Sequence, residues 1–166
     1  MKIFKNIFLV CCALFLLQSC IVSSKPNIDF FSKSNYDFEG AKFASFNVPL
    51  FLAKPYIKKA LREEGESEAA IAMVKKVSKI KMMTVANGSE AMLKDYANYL
   101  KDNNYEDWAT IKHEGDNVNI RVKQKGEMIN NMLITVNSKK DMVFLDVKGS
   151  FTADDISKMI NIASDK

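Results

Sequence analysis

Residues 117–148 read NVNIRVKQKGEMINNMLITVNSKKDMVFLDVK, and apolar and polar side chains alternate along three stretches of this segment. A period of two is the spacing of a β-strand, whose successive side chains point to opposite faces. Strands are therefore expected over 117–125, 128–137 and 142–148. Gly126-Glu127 and Ser138 to Asp141 are short enough to be hairpin joints, and Glu114-Gly115-Asp116 joins a further strand over 108–113. Consecutive hairpins make an antiparallel meander.

The alternation assigns one face of that sheet to the core: Val118, Ile120 and Val122; Met132, Ile134 and Val136; Val143, Leu145 and Val147. The other face is mixed, with Asn119, Arg121 and Lys123 beside Ile129, Leu133, Met142 and Phe144. N-terminal helices or the segment 43–51 are expected to cover it. The alternative is that Ile129, Leu133, Met142 and Phe144 form a partner-binding patch, for which an envelope protein is the candidate.

Upstream of the meander, 50–64 has helical character, with Pro49 at its start, Gly65 past its end and Pro55 expected to kink or split it. A second helix is expected over 68–76, capped by Ser67, with Ala70, Ile71, Met73 and Val74 on one face. A strand over 77–85 follows and ends at Asn87-Gly88. A third helix, from Ser89 to about Lys101, has the three-four spacing of Met92, Leu93, Tyr96, Tyr99 and Leu100. After the meander, Thr152 and Asp155 form a capping-box pattern for a last helix over 152–163, with Asp154 near its positive end and Ile156, Met159, Ile160 and Ala163 as its apolar stripe. These elements predict an α+β domain: a mostly antiparallel sheet of four to five strands with helices packed on one face, a two-layer sandwich.

The N-terminus belongs to a different kind of segment. Lys2 and Lys5 precede an apolar run over 7–17, then Gln18, Ser19 and Cys20. This is the order of a secretory leader, and as a helix the run spans roughly 16 Å, about half of a bilayer core. Leu17-Gln18-Ser19-Cys20 resembles the bacterial lipobox. That resemblance implies cleavage after Ser19, with Leu17 and Ser19 as recognition positions, and covalent diacylglycerol and N-acyl lipid on Cys20. Two or three acyl chains anchor durably where one does not. The expected division is 1–19 as the removed leader, 20–40 as lipidated cysteine and flexible tether, and 41–166 as a single domain. No acidic residue occurs in Ile21-Val22-Ser23-Ser24, which favours the periplasmic face of the outer membrane.

Removal of the leader would leave 22 basic against 20 acidic residues, too even a balance to argue for nucleic acid. Lys58, Lys59 and Arg62, or Lys75, Lys76, Lys79 and Lys81, can touch anionic headgroups, but basic residues at helical spacing are most often a solvated face. Cys11 and Cys12 lie in the leader and Cys20 is consumed by lipid, so no thiol remains for disulfide, metal or nucleophile chemistry. His113 is the only histidine, and a lone histidine at a strand end is commonly a surface residue. No HExxH, P-loop or GxGxxG pattern occurs. Glu114, Asp116 and Glu127 are oxygen donors near hairpins but lack calcium-loop spacing, and turns favour such residues anyway. No cofactor beyond the lipid is expected.

The run Met142-Val143-Phe144-Leu145-Asp146-Val147-Lys148-Gly149-Ser150-Phe151-Thr152, leading into Asp155-Ile156-Ser157-Lys158-Met159, resembles the C-terminal signature of the domain-of-unknown-function 4252 family. The resemblance extends over roughly 41–163 and implies a small exported lipoprotein of Gram-negative type. No catalytic or binding residues are established for that family, so none is carried over. The expected function is a membrane-anchored, non-enzymatic binding or regulatory module. The alternatives are an envelope enzyme with carboxylate chemistry on glycan and a purely structural envelope component.

Overall fold

The computed structural model of the chain describes residues 22–33, 38, 40–63, 65, 68–113, 115–138 and 141–164. The leader, Leu17, Ser19, Cys20, Ser67 and Glu114 lie outside these. In chain order the described elements are β1 (Val22–Ser23), α1 (Asp29–Lys33), β2 (Lys42–Val48), α2 (Leu50–Glu63), α3 (Glu68–Lys76), β3 (Val77–Ala86), α4 (Glu90–Asp102), β4 (Glu106–His113), β5 (Asp116–Lys125), β6 (Met128–Asn137), β7 (Asp141–Phe151) and α5 (Ala153–Ser164).

The strands form one sheet of seven in the order β1-β2-β3-β7-β6-β5-β4, antiparallel at every pairing. This corrects the expected four to five strands. The expected meander supplies β4 to β7, and β3 adds to β7 on its other side. The two strands not anticipated, β1 and β2, extend the sheet beyond β3.

The sheet is also covered on both faces, which corrects the two-layer arrangement. Register puts Met83, Phe144, Leu133 and Arg121 on one face and Met82, Leu145, Ile134 and Ile120 on the other. On the first face, α1 and α4 bury Phe30, Phe31, Met92, Tyr96 and Leu100 against Met83, Val85, Leu133, Met142 and Phe144. On the second, Met73 of α3 and Ile156 of α5 pack with Ile120, Val122, Ile129, Met132, Val147 and Phe151. Of the nine residues expected in the core, Ile120, Val122, Met132 and Val147 are buried; the other five are half-buried, because the helices cover only part of that face.

The segment 20–40 is not a loose tether where it is described. β1 pairs with β2, placing Val22 opposite Phe46. The Ser45 hydroxyl donates to the carbonyls of Lys25 at 2.6 Å and Ser23 at 3.2 Å, and Asn27 Nδ2 donates to the carbonyls of Phe46 and Met82. The chain is thereby pinned at the point where α1 turns Phe30 and Phe31 into the aromatic core. Phe31 meets Phe144 at a ring separation of 4.9 Å and Tyr96 at 5.3 Å.

Local sequence signals explain the helix ends. The Ser89 hydroxyl accepts from the Met92 amide at 3.1 Å, capping α4. Thr152 and Asp155 exchange the two capping-box bonds at the start of α5: the Thr152 amide donates to Asp155 Oδ2 at 2.8 Å and the Asp155 amide to Thr152 Oγ1 at 3.2 Å. Pro55 does not split α2, which runs unbroken through it. The missing donor falls one turn from the start on an exposed side, where water can satisfy the Phe51 carbonyl. Gly149 is required by close approach, since a Cβ there would sit 2.4 Å from the Phe151 ring and 2.6 Å from the Lys76 carbonyl.

Two outcomes test this packing. Phe144→Ala should cost about 3–5 kcal/mol in urea unfolding, whereas Phe51→Ala, at an exposed position, should change stability by less than about 0.5 kcal/mol. The second test is electrostatic. Burial opposes ionisation of Asp155, but hydrogen bonds from Lys76 and Thr152 outweigh it and hold its pKa below the ordinary carboxylate value. A depressed folded-state pKa contributes stability above the unfolded value and loses it as pH falls through the folded one. Asp155→Asn should therefore flatten the acid limb of the stability profile below about pH 4.

Candidate functional site

Asp146 interrupts the apolar run of β7, and alternation sends it to the α1/α4 face. There it is 6% exposed and accepts a hydrogen bond from Asn131 Nδ2 at 2.5 Å. Asn131 also donates to the Val147 carbonyl at 3.1 Å and accepts from the Tyr105 hydroxyl. Lys81, opposite Asp146 in the β3–β7 ladder, holds its Nζ 3.9 Å from Asp146 Oδ2 and 3.2 Å from Asp29 Oδ1, and donates to the Asn27 carbonyl at 2.8 Å. Lys33 closes the chain by donating to Asp29 Oδ2 at 3.1 Å. Four elements, α1, β3, β6 and β7, meet with the α4–β4 turn and the loop before α1 in one polar network.

Above this network a cleft of about 400 Å³ opens between α1, the end of α4 and strands β5 to β7, lined by Asp29, Lys33, Tyr99, Asn103, Tyr105, Lys123, Asn130, Asn131 and Lys148. A smaller cavity of about 50 Å³ beneath it reaches Asp146, Tyr96 and Leu133, room for a buried water or two. Four lysines, Lys33, Lys81, Lys123 and Lys148, face two carboxylates, Asp29 and Asp146, so the site carries an excess of positive charge. Lys123 Nζ lies 5.4 Å from the centre of the Tyr105 ring, within cation–π range. The Asn27 side-chain oxygen is buried without a hydrogen-bond partner among the described residues.

The phenols here are held neutral, and Asp29 is held towards its ionised form. Burial, then the negative charge of Asp146, pushes the Tyr105 phenol up to about 12. Burial opposes ionisation of Asp29, but the hydrogen bonds from Lys33 and Lys81 prevail and lower its pKa. Tyr96, buried beneath α4, is pushed higher still, first by burial. Asp29 and Asp146 converge as paired carboxylates, yet Lys81 bridges them. Glycoside hydrolysis needs one acid kept protonated, whereas Lys33 and Lys81 hold Asp29 towards its ionised form.

A second groove, of about 310 Å³, runs between α4 and strands β4 to β6, lined by uncharged Thr110, Asn117, Asn119, Thr135 and Asn137 with Arg121. Its Thr110 hydroxyl donates to Asn119 Oδ1 and Arg121 pairs with Asp107.

The four residues proposed from sequence as a partner surface are interior: Ile129, Leu133, Met142 and Phe144 are 1%, 5%, 6% and 0% exposed. Ile129 even lies in the opposite cluster from the other three, because a bulge between Ile129 and Asn131 reverses its facing. Asp116 and Glu127 flank the two ends of the ten-residue β5 and do not share one rim. Among the described residues no group of three or more His, Cys, Asp and Glu is arranged to hold a metal. No helix among them is long and apolar enough to cross a membrane.

Sequence reasoning took Lys81 only as one of a basic cluster and singled out neither Asn131 nor Asp146 as a site residue. The signal was present at Lys81 and Asp146 as single polar residues between apolar ones, Ile80-Lys81-Met82 and Leu145-Asp146-Val147, and was blurred at Asn131 by the neighbouring Asn130. Removing one partner should be costly: Lys81→Met leaves Asp146 without its cation and is expected to lose about 3 kcal/mol, and Lys81→Met with Asp146→Asn should recover much of that. Chemical denaturation of the two variants and Asp146→Asn alone measures the coupling.

Searches among curated proteins and among solved structures each found no match. A family model does match, over residues 36–159, and its description is a domain of unknown function, DUF4252. That span takes in β2 to β7, α2 to α4 and the first half of α5, carrying every residue of the polar network from Lys81 to Asp146, and the chain belongs to the DUF4252 family.

Proposed function

We propose that the chain is a lipid-anchored protein of the cell envelope whose folded domain is a non-enzymatic binding module for an anionic ligand. The anchoring half rests on Leu17-Gln18-Ser19-Cys20 standing behind a charged and then apolar leader, the order that precedes diacylglyceryl transfer to a cysteine. Its expected site is the periplasmic face of the outer membrane, with no nucleic acid involved and no cofactor other than the lipid.

The binding half is carried by one observation, the excess of lysines over carboxylates around a cleft whose floor is fixed by hydrogen bonds. A pre-formed floor spares a ligand the entropy of ordering it, and a cleft of one sign concentrates its counter-ion. Lys123 and Lys148 on the rim supply donors without the need to break the Lys81 bridge beneath. Lys81, standing between Asp29 and Asp146, favours holding a ligand over acid–base turnover at these carboxylates.

Mass spectrometry of the N-terminal peptide should find Cys20 carrying diacylglycerol and an N-acyl chain, and Cys20→Ser should lose that modification. An unmodified thiol at Cys20 sinks the anchoring half. Inorganic phosphate, used as an anionic probe, should raise the Tm of the native protein, with the rise diminished in Lys123→Ala and Lys148→Ala. An equal rise in all three places the anion elsewhere.

A further inference from the structure

α2 is the least embedded helix of the fold. None of its residues is buried, and α3 is its main support. Its outward side presents Phe51, 80% exposed, Tyr56, 76% exposed, and Leu52, 54% exposed. Lys59 and Arg62 continue that side towards the C-terminal end, together with Glu63, whose Oε1 lies 3.7 Å from Lys59 Nζ. Large apolar side chains grouped with cations on one side of a helix are the composition of an element that lies in a membrane interface. Including the adjoining Glu64, the segment has four basic residues, Lys54, Lys58, Lys59 and Arg62, against two acidic ones. Lys54 is turned inward to the Lys75 carbonyl at 3.3 Å.

Position gives the second argument. β1 is the edge strand, and Val22, itself 59% exposed, pairs with Phe46. Phe46 lies four residues before Leu50, where α2 begins. Cys20, which lies outside the described residues, is two residues upstream of Val22 in the sequence. The chain therefore leaves the described fold beside the half of α2 that carries Phe51 and Leu52.

We infer that the outward side of α2, through Phe51, Leu52, Tyr56, Lys59 and Arg62, lies in the headgroup region of an anionic bilayer. This rests on the proposed lipid at Cys20 for its proximity to the membrane, and on the exposed side chains of α2 for the contact itself. Two contacts, the lipid and the helix, fix the orientation of the domain on the surface. Each basic side chain near an anionic surface adds about fivefold to partitioning, so the helix contact is selective for negatively charged lipid and weakens with salt.

The test uses the full chain with Phe51→Trp, reconstituted into vesicles containing brominated lipid, with either phosphatidylcholine alone or added phosphatidylglycerol. Trp108, the single native tryptophan, is on β4 at the opposite edge of the sheet from β1 and serves as the unquenched reference. The introduced tryptophan should lose most of its emission in the phosphatidylglycerol vesicles and little in the neutral ones. Adding Lys59→Glu and Arg62→Glu should restore the emission while flotation of the protein with the vesicles is retained. A tryptophan that stays bright in both vesicle types while the protein floats overturns the inference and leaves the anchor intact. If the chain carries no lipid, the anchoring proposal fails by its own measurement. Quenching from solution on phosphatidylglycerol vesicles would then still uphold the helix contact, and its absence would still overturn it.

Discussion

Phe144 sits on β7, the middle strand of the seven, with no solvent exposure. Its ring is met edge-on by Phe31 from α1 and by Tyr96 from α4, at 4.9 and 5.2 Å. One side chain thus joins the N-terminal segment, the crossing helix and the centre of the sheet. Such pairs add about 0.5–1.5 kcal/mol each beyond the area they bury, and the geometry they demand positions α1 and α4 as the walls of the lysine cleft. Without that packing, Asp29 and Lys33 would have no fixed relation to Lys81.

The covering of both faces explains which parts of the fold were legible. Strand period and hairpin joints mark β4 to β7 within a few residues, the Thr152–Asp155 capping box forms as expected, and the third helix begins where expected, with Ser89 as its cap. β1 is too short for any period to register. β2 contains Phe43, Ser45 and Asn47 on one side and Ala44, Phe46 and Val48 on the other, so the side turned to the α1/α4 core carries two polar residues while the apolar side is exposed or half-buried, the reverse of the usual pattern. Ser45 is buried because its hydroxyl is satisfied by two carbonyls of the N-terminal segment, a partner relation that exists only once the chain has folded back. The number of strands and of layers was hidden in those long-range contacts.

The candidate site was less legible for the same reason. Met142 and Phe144 were recognised as sharing one side of β7, but an exposed patch and a buried core have the same pattern in one strand; only α1 and α4 decide between them. Lys81, Asn131 and Asp146 come from three strands distant in sequence, and their meaning lies in the ladder that aligns them. A buried ion pair is weak evidence of stabilisation, since desolvation offsets attraction. A fully partnered network such as this one instead fixes register between β3, β7 and β6, because a one-residue slip would move each polar group to the opposite face.

The folded unit is longer than the span its family model matches. Phe30 and Phe31 fill the space over Phe144 from residues upstream of 36, and β1 closes one edge of the sheet from further upstream still. A proteolytic cut between α1 and β2 that let the N-terminal piece diffuse away would uncover two things at once: the hydrogen-bonding edge of β2 and the aromatic surface around Phe43 and Phe144. An open strand edge next to bared apolar surface is the combination that templates intermolecular β-pairing, so a chain trimmed to the matched span would be prone to aggregate.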